Sequence, residues 1–203
     1  MTATLGLLVS GRGSNMRAVL AACATGRLPA EPALVISNNL DAPALTTASE
    51  FDVATMHLSR TTHPEPEQLD AAICANLHKY AVDWVVLAGY MKKIGPQTLA
   101  AYRNRMINIH PSLLPRHGGP GMFGMHVHEA VIAAGDRESG ATVHLVTDAY
   151  DQGAILRQAR VPVLENDTPA TLAARVLVAE HTLLVETLAD LVTGQLKLPD
   201  ANG

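Results

Sequence analysis

Short apolar runs alternate with segments whose apolar residues return every three or four positions, and this continues through the first two-thirds of the chain. Leu5 to Val9 is the first run and leads into a helical stretch from Met16 to Cys23. Ala33 to Ser37 is a second strand, followed by a helix around Ala42 to Glu50, and Val53 to Leu58 is a third strand. Leu69, Ile73 and Leu77 then recur at four-residue spacing, which marks one face of a helix. Asp83 to Ala88 is almost continuously apolar, as expected of a central strand covered on both sides. Pro96 to Tyr102 reads as a helix with proline at its start, where a missing N–H does least harm, and Met106 to Ile109 is a short fifth strand.

Strands alternating with helices in this order predict a Rossmann-like α/β fold: an open, mostly parallel sheet with right-handed crossovers and helices on both faces. The pattern then changes. Ala141 to Thr147 and Ala154 to Val163 are strand-like and joined by only six residues, which predicts an antiparallel hairpin at the sheet edge. Pro169 to about Leu191 is a long closing helix, with Thr168 placed to cap it. No repeat, low-complexity tract or linker interrupts the chain, so a single domain over 1–203 is expected.

Composition removes several function classes. The net charge of −4 lacks the basic excess of a nucleic-acid binder, and 3% aromatic residues leave little for base stacking. No apolar run approaches the ~20 residues that span a bilayer. The opening Met1 to Val9 has no basic region and reads as a first strand rather than a signal peptide, so a cytoplasmic location is expected. Cys23 and Cys74 fall on helices and read as buried hydrophobes, since two thiols are too few for a disulfide framework. His126 and His128 are not spaced as metal ligands on a helix, and no third ligand joins them, so no metal is expected.

Two segments carry candidate chemistry. Ser10-Gly11-Arg12-Gly13-Ser14-Asn15 lies between the first strand and first helix, where glycines permit close backbone approach and a helix start offers free N–H groups to an anion. The third glycine of a dinucleotide fingerprint would fall on Met16, and the second strand ends in Ser37-Asn38-Asn39 without a ribose-binding acid; a single phosphate fits better than NAD. The other segment is Asn108-Ile109-His110-Pro111-Ser112, at the carboxyl end of the fifth strand. Alternation puts Asn108 and His110 on one side, where an amide donor and an imidazole suit an oxyanion and a proton transfer. A carboxylate from the hairpin connection would raise the imidazole pKa, and spacing leaves Asp148 and Asp151 both open. His144 is placed either to hold that carboxylate or to fill the core.

Taken together, these segments resemble the glycinamide ribonucleotide formyltransferases, folate-dependent one-carbon enzymes of purine synthesis, from Leu5 to about Leu196. The likeness is most specific over Asn108 to Pro115, with support from Ser10 to Asn15, Leu87 to Met91 and Val143 to Asp151. The resemblance implies small-molecule substrates, with 10-formyltetrahydrofolate as co-substrate and a phosphorylated amine as acceptor, in a monomer or homodimer. By that resemblance Asn108, His110 and Asp151 carry catalysis by direct amine attack, and the aspartate is Asp151 rather than Asp148. Gly13, Ser14 and Asn15 would hold the phosphate and Glu180 the ribose. Met91, Lys92, Lys93, Ile94, Thr147, Asp148, Ala149 and Tyr150, with Asn108 and Asp151, would enclose the folate. Where some family members have a folate-contacting arginine, this chain reads His63 to Glu67, leaving Arg60 or Lys92 as substitutes. The Arg116 to Gly124 loop is longer than in many members and suggests a mobile rim. The rival readings are a formyltetrahydrofolate hydrolase, a methionyl-tRNA formyltransferase and a non-catalytic phosphate-ligand binder. The first usually has an N-terminal regulatory domain and the second a C-terminal RNA-binding one; the chain starting at strand one and ending at Gly203 argues for neither.

Overall fold

The structure is a computed structural model that describes residues 2–199, so Met1 and 200–203 of the expected domain lie outside the described residues. Its elements in chain order are β1 (Ala3–Val9), α1 (Ser14–Ala24), β2 (Ala30–Ser37), α2 (Pro43–Glu50), β3 (Ala54–His57), α3 (Pro66–Lys79) and β4 (Trp84–Leu87). There follow α4 (Pro96–Ala101), β5 (Met106–His110), α5 (Met125–Ala133), β6 (Glu138–Leu145), β7 (Ile155–Pro162) and α6 (Pro169–Val192). All seven strands join one sheet in the order β3-β2-β1-β4-β5-β6-β7. The pairs from β3 through β5 are parallel, and the β5–β6 and β6–β7 pairs are antiparallel. This is the expected open α/β sheet with its antiparallel hairpin at the edge.

Alternation along the strands sorts side chains onto two faces. Leu5, Leu7 and Val9 of β1 pack into a core shared with Met16 and Leu20 of α1 and Leu184 and Leu188 of α6. Leu8 turns the other way, into a core with Ile73 and Leu77 of α3 and Tyr102. Gly6 shares that second face because nothing larger fits: an added Cβ would lie 2.7 Å from Leu77 Cδ2 and 3.1 Å from Val82. Thr168 caps α6 through a reciprocal pair with Thr171, as the sequence predicts.

The same sorting exposes a polar strip. Ile107 and Ile109 of β5 and Ala141, Val143 and Leu145 of β6 belong to the α1–α6 core. Asn108, His110, Thr142 and His144 therefore face the other way, with Asn108 opposite His144 and His110 opposite Thr142. Only Met106 joins that face's apolar core, so the strip begins where the core runs out. The chain reverses its winding between β1 and β4, and in such sheets ligands sit at the carboxyl ends beside this switch point.

Three elements differ most from the sequence expectation, among them β6, which runs over Glu138–Leu145 rather than Ala141 to Thr147. β2 begins at Ala30 rather than Ala33, because Pro32 is accommodated beside a register irregularity between Leu5 and Gly6 of its partner strand. α5 was not delimited by pattern: it starts after Gly124, at φ 56, with no capping side chain, and follows a glycine-rich tract.

Candidate active site

The turn after β1 is held from both sides. The Ser10 hydroxyl donates to Asn38 Oδ1 and accepts from the Met91 backbone N–H at 2.7 Å, tying together the ends of β1, β2 and β4. Gly13 sits at φ 72, and a Cβ there would lie 2.6 Å from that of Ala44, so glycine is required twice over. The leading N–H groups of α1 have no intrahelical partners, and no side chain caps them. The Asn15 Nδ2 donates to Glu180 Oε2 at 2.6 Å, which ties the start of α1 to α6. Glu180 is buried, and burial pushes its carboxyl up, against the opposing hydrogen bond from Asn15.

The end of β5 and the β6–β7 connection meet around His110. Its Nε2–H donates to the His117 carbonyl at 2.9 Å, and its Nδ1 lies 3.6 Å from Asp151 Oδ2. His144 Nδ1–H donates to the Leu145 carbonyl, and its Nε2 accepts from Asn108 Nδ2 at 3.1 Å while standing 3.6 Å from Asp151 Oδ1. The nearer partner of that nitrogen is the amide, so His144 orients Asn108 and leaves its second N–H free. His144 is buried, and its ring stands beside Asp151 while its nearer partner is Asn108. The carboxylate beside His110 is Asp151, whereas Asp148 is exposed.

Burial lowers the His110 imidazole from 6.5 and outweighs Asp151, which pulls it upward as expected of a neighbouring carboxylate. For Asp151 burial pushes upward, and the neighbouring His144 and His110 imidazoles and the Gly119 N–H together outweigh it, so the carboxyl falls below its ordinary value. The free site at neutral pH is therefore a neutral imidazole beside a carboxylate.

Every expected site residue borders one cleft of about 840 Å³, a volume suited to small molecules. Lys92 is among its walls and Arg60 is not, which favours Lys92 of the two proposed substitutes. Lys93 Nζ stands 5.9 Å from the Tyr150 ring centroid and links two of the loops. Met91, Phe123, Met125 and Tyr150 are exposed large apolar side chains on the same rim. Arg12, His128 and His144 also line the cleft and were given no firm role from sequence. Arg12 lies inside the glycine-rich turn, a cation beside the turn expected to hold an anion, and that position is the available signal. Among the described residues, no helix is long and apolar enough to cross a membrane, and no three His, Cys, Asp or Glu side chains are grouped to hold a metal ion.

Residues 5–188 match the formyl transferase family. A chloroplastic phosphoribosylglycinamide formyltransferase of Arabidopsis thaliana is 38% identical over 194 residues, 95% of this chain, and the match spans 66% of the plant protein's length. The phosphoribosylglycinamide formyltransferase of Escherichia coli is 36% identical over 192 residues, covering 95% of this chain and 88% of that one. The crystal structure of glycinamide ribonucleotide transformylase 1 from Symbiobacterium toebii superposes with a TM-score of 0.92 at 38% identity, covering 98% and 92% of the two chains. With a family match over most of the chain and relatives of this identity and coverage, the chain belongs to the formyl transferase family, within its phosphoribosylglycinamide formyltransferases.

Proposed function

We propose that the cleft transfers the formyl group of 10-formyltetrahydrofolate to the amine of glycinamide ribonucleotide, without a metal ion. The relatives' activity supports the acceptor, and the uncapped start of α1 with Arg12 nearby supports a phosphate at that end of the cleft. The folate occupies the space walled by Met91 to Ile94 and Thr147 to Asp151. The observation that carries the reading is the meeting of Asn108, His110 and Asp151 within that same cleft.

The amine attacks the formyl carbon and forms a tetrahedral oxyanion with no covalent enzyme intermediate. The free N–H of Asn108 donates to that oxyanion. His110 Nδ1 takes up the proton leaving the attacking amine, and Asp151 stabilises the resulting imidazolium. Charged His110 then adds its field to that of Asn108. Collapse of the oxyanion breaks the bond from carbon to the folate nitrogen, which recovers the proton from His110. One N–C bond forms, one breaks, and the imidazole returns neutral.

Incubating the protein with 10-formyltetrahydrofolate tests this directly. Tetrahydrofolate should form only when glycinamide ribonucleotide is present. Equal production without the ribonucleotide would make the protein a hydrolase, and no production in either case would leave a binding protein.

A further inference from the structure

His110 and Asp151 are both gripped by a short turn that belongs neither to β5 nor to the β6–β7 connection. Arg116-His117-Gly118-Gly119 presents the His117 carbonyl to His110 Nε2–H at 2.9 Å and the Gly119 N–H to Asp151 Oδ2 at 2.9 Å. The turn presses close: a Cβ on Gly118 would lie 2.4 Å from Leu114 Cδ2 and 3.3 Å from Asp151 Cβ. His117 holds a left-handed φ of 53, a conformation that non-glycine residues keep only when their surroundings impose it. What imposes it is visible. The His117 ring Nε2 lies 2.7 Å from Asp136 Oδ2, Arg116 pairs with the other oxygen of Asp136, and the Arg116 carbonyl accepts from the buried Ser112 hydroxyl at 2.6 Å. The Asp136 side chain is 8% exposed, and the hydrogen bond from His117 holds its carboxyl below the ordinary range, so the anchor is ionised at neutral pH.

We propose that His117 and Asp136 are positioning residues, anchoring the 116–119 turn so that the His117 carbonyl selects the tautomer of His110 and Gly119 fixes the orientation of Asp151. This rests on the reading of His110 and Asp151 as the proton-handling pair of the cleft. The reason lies in what each neighbour of His110 prefers. A carbonyl only accepts, so it demands the hydrogen on Nε2. Asp151 also only accepts, and at 3.6 Å from Nδ1 it draws the hydrogen the other way. A ring with its hydrogen on Nδ1 cannot take a proton there. The anchored carbonyl is the counterweight that keeps Nδ1 bare until the amine gives up its proton.

The test reads the His110 ring nitrogens by NMR in the free protein above its imidazole pKa, for the wild type, His117→Phe and His117→Gln. The wild type should hold the hydrogen on Nε2. In His117→Phe, which keeps the ring but removes the donor to Asp136, a second tautomer with the hydrogen on Nδ1 should appear. kcat should then fall roughly ten- to a hundredfold with both KM values little changed, as for a displaced catalytic group. His117→Gln retains an N–H donor and should recover much of the loss. A wild-type ring with its hydrogen on Nδ1 would overturn the proposal without any variant. So would an unmoved tautomer in His117→Phe, since a role in stability alone leaves the ring as it was. Should His117→Phe fail to fold, Asp136→Asn is read in the same way. The ring signals need no substrate, so absence of formyl transfer would remove the catalytic reading while leaving the anchoring separately tested.

Discussion

At the scale of single residues, the site turns on a competition around one imidazole. Burial lowers the His110 pKa and Asp151 raises it, and burial wins. Asp151→Asn keeps the shape but removes the charge, so the His110 titration should move further down while formyl transfer collapses; NMR titration of both proteins reads the shift. An unmoved midpoint would mean that Asp151 does not act on His110. The base form is the working one in the free protein, so kcat/KM of the wild type should fall as pH drops through a midpoint below about 6.5. Asn108 and His110 were legible because strand alternation and a strand end give them one side and one place. The choice of Asp151 over Asp148 was not legible from spacing and came only with the resemblance. The commitment of Asn15 to Glu180 was hidden for a simpler reason: 165 positions separate the two residues.

Among the elements, hydrophobic period gave the strands and helices that bury an apolar face, and it failed where other forces set the boundary. α5 begins through a positive-φ glycine and buries only Val127, His128 and Val131, too few contacts to impose a clear helical period. β2 runs through Pro32, a residue that argues against a strand until a register irregularity is seen beside it. Gly6 likewise reads as a weak point in β1, yet its role is to admit Leu77 and Val82 of the covering layer. Gly6→Val has ideal strand propensity and no room, so it should destabilise the protein by about 1–3 kcal/mol through overpacking. Urea unfolding should show a lower midpoint at unchanged slope; an unchanged midpoint would mean that the α3 packing yields freely.

For the whole molecule, the open α/β architecture was legible because each strand-helix unit repeats the same pattern, and the hairpin announced itself by its short connection. The convergence of four loops on one cleft was not, since it depends on strand order and not on strand content. Several buried ionisable groups make folding depend on pH. Burial lowers the imidazole pKa of His110, His128 and His181 below 6.5. The unfolded chain therefore binds more protons than the folded one between those lowered values and about 6.5, so stability rises with pH there and is lost on acidification. Glu180 acts in the opposite sense, its raised carboxyl favouring the folded state at low pH and losing that contribution as pH rises through its folded pKa. Three imidazoles against one carboxyl predict a Tm that falls between about pH 7 and about pH 5.5. A flat or rising Tm across that window would contradict this balance.

The central claim is that Asn108, His110 and Asp151 pass a formyl group to an amine held in the same cleft. It is tested most directly by following an isotope-labelled formyl carbon from 10-formyltetrahydrofolate in the presence of glycinamide ribonucleotide, with wild-type protein and with Asn108→Ala. The label should appear in the formamide of the ribonucleotide. Asn108→Ala should slow its arrival by ~10²–10³ in kcat, about 2.7–4 kcal/mol, with both KM values little changed. Label recovered as formate, or an Asn108→Ala rate equal to the wild type, would contradict the account.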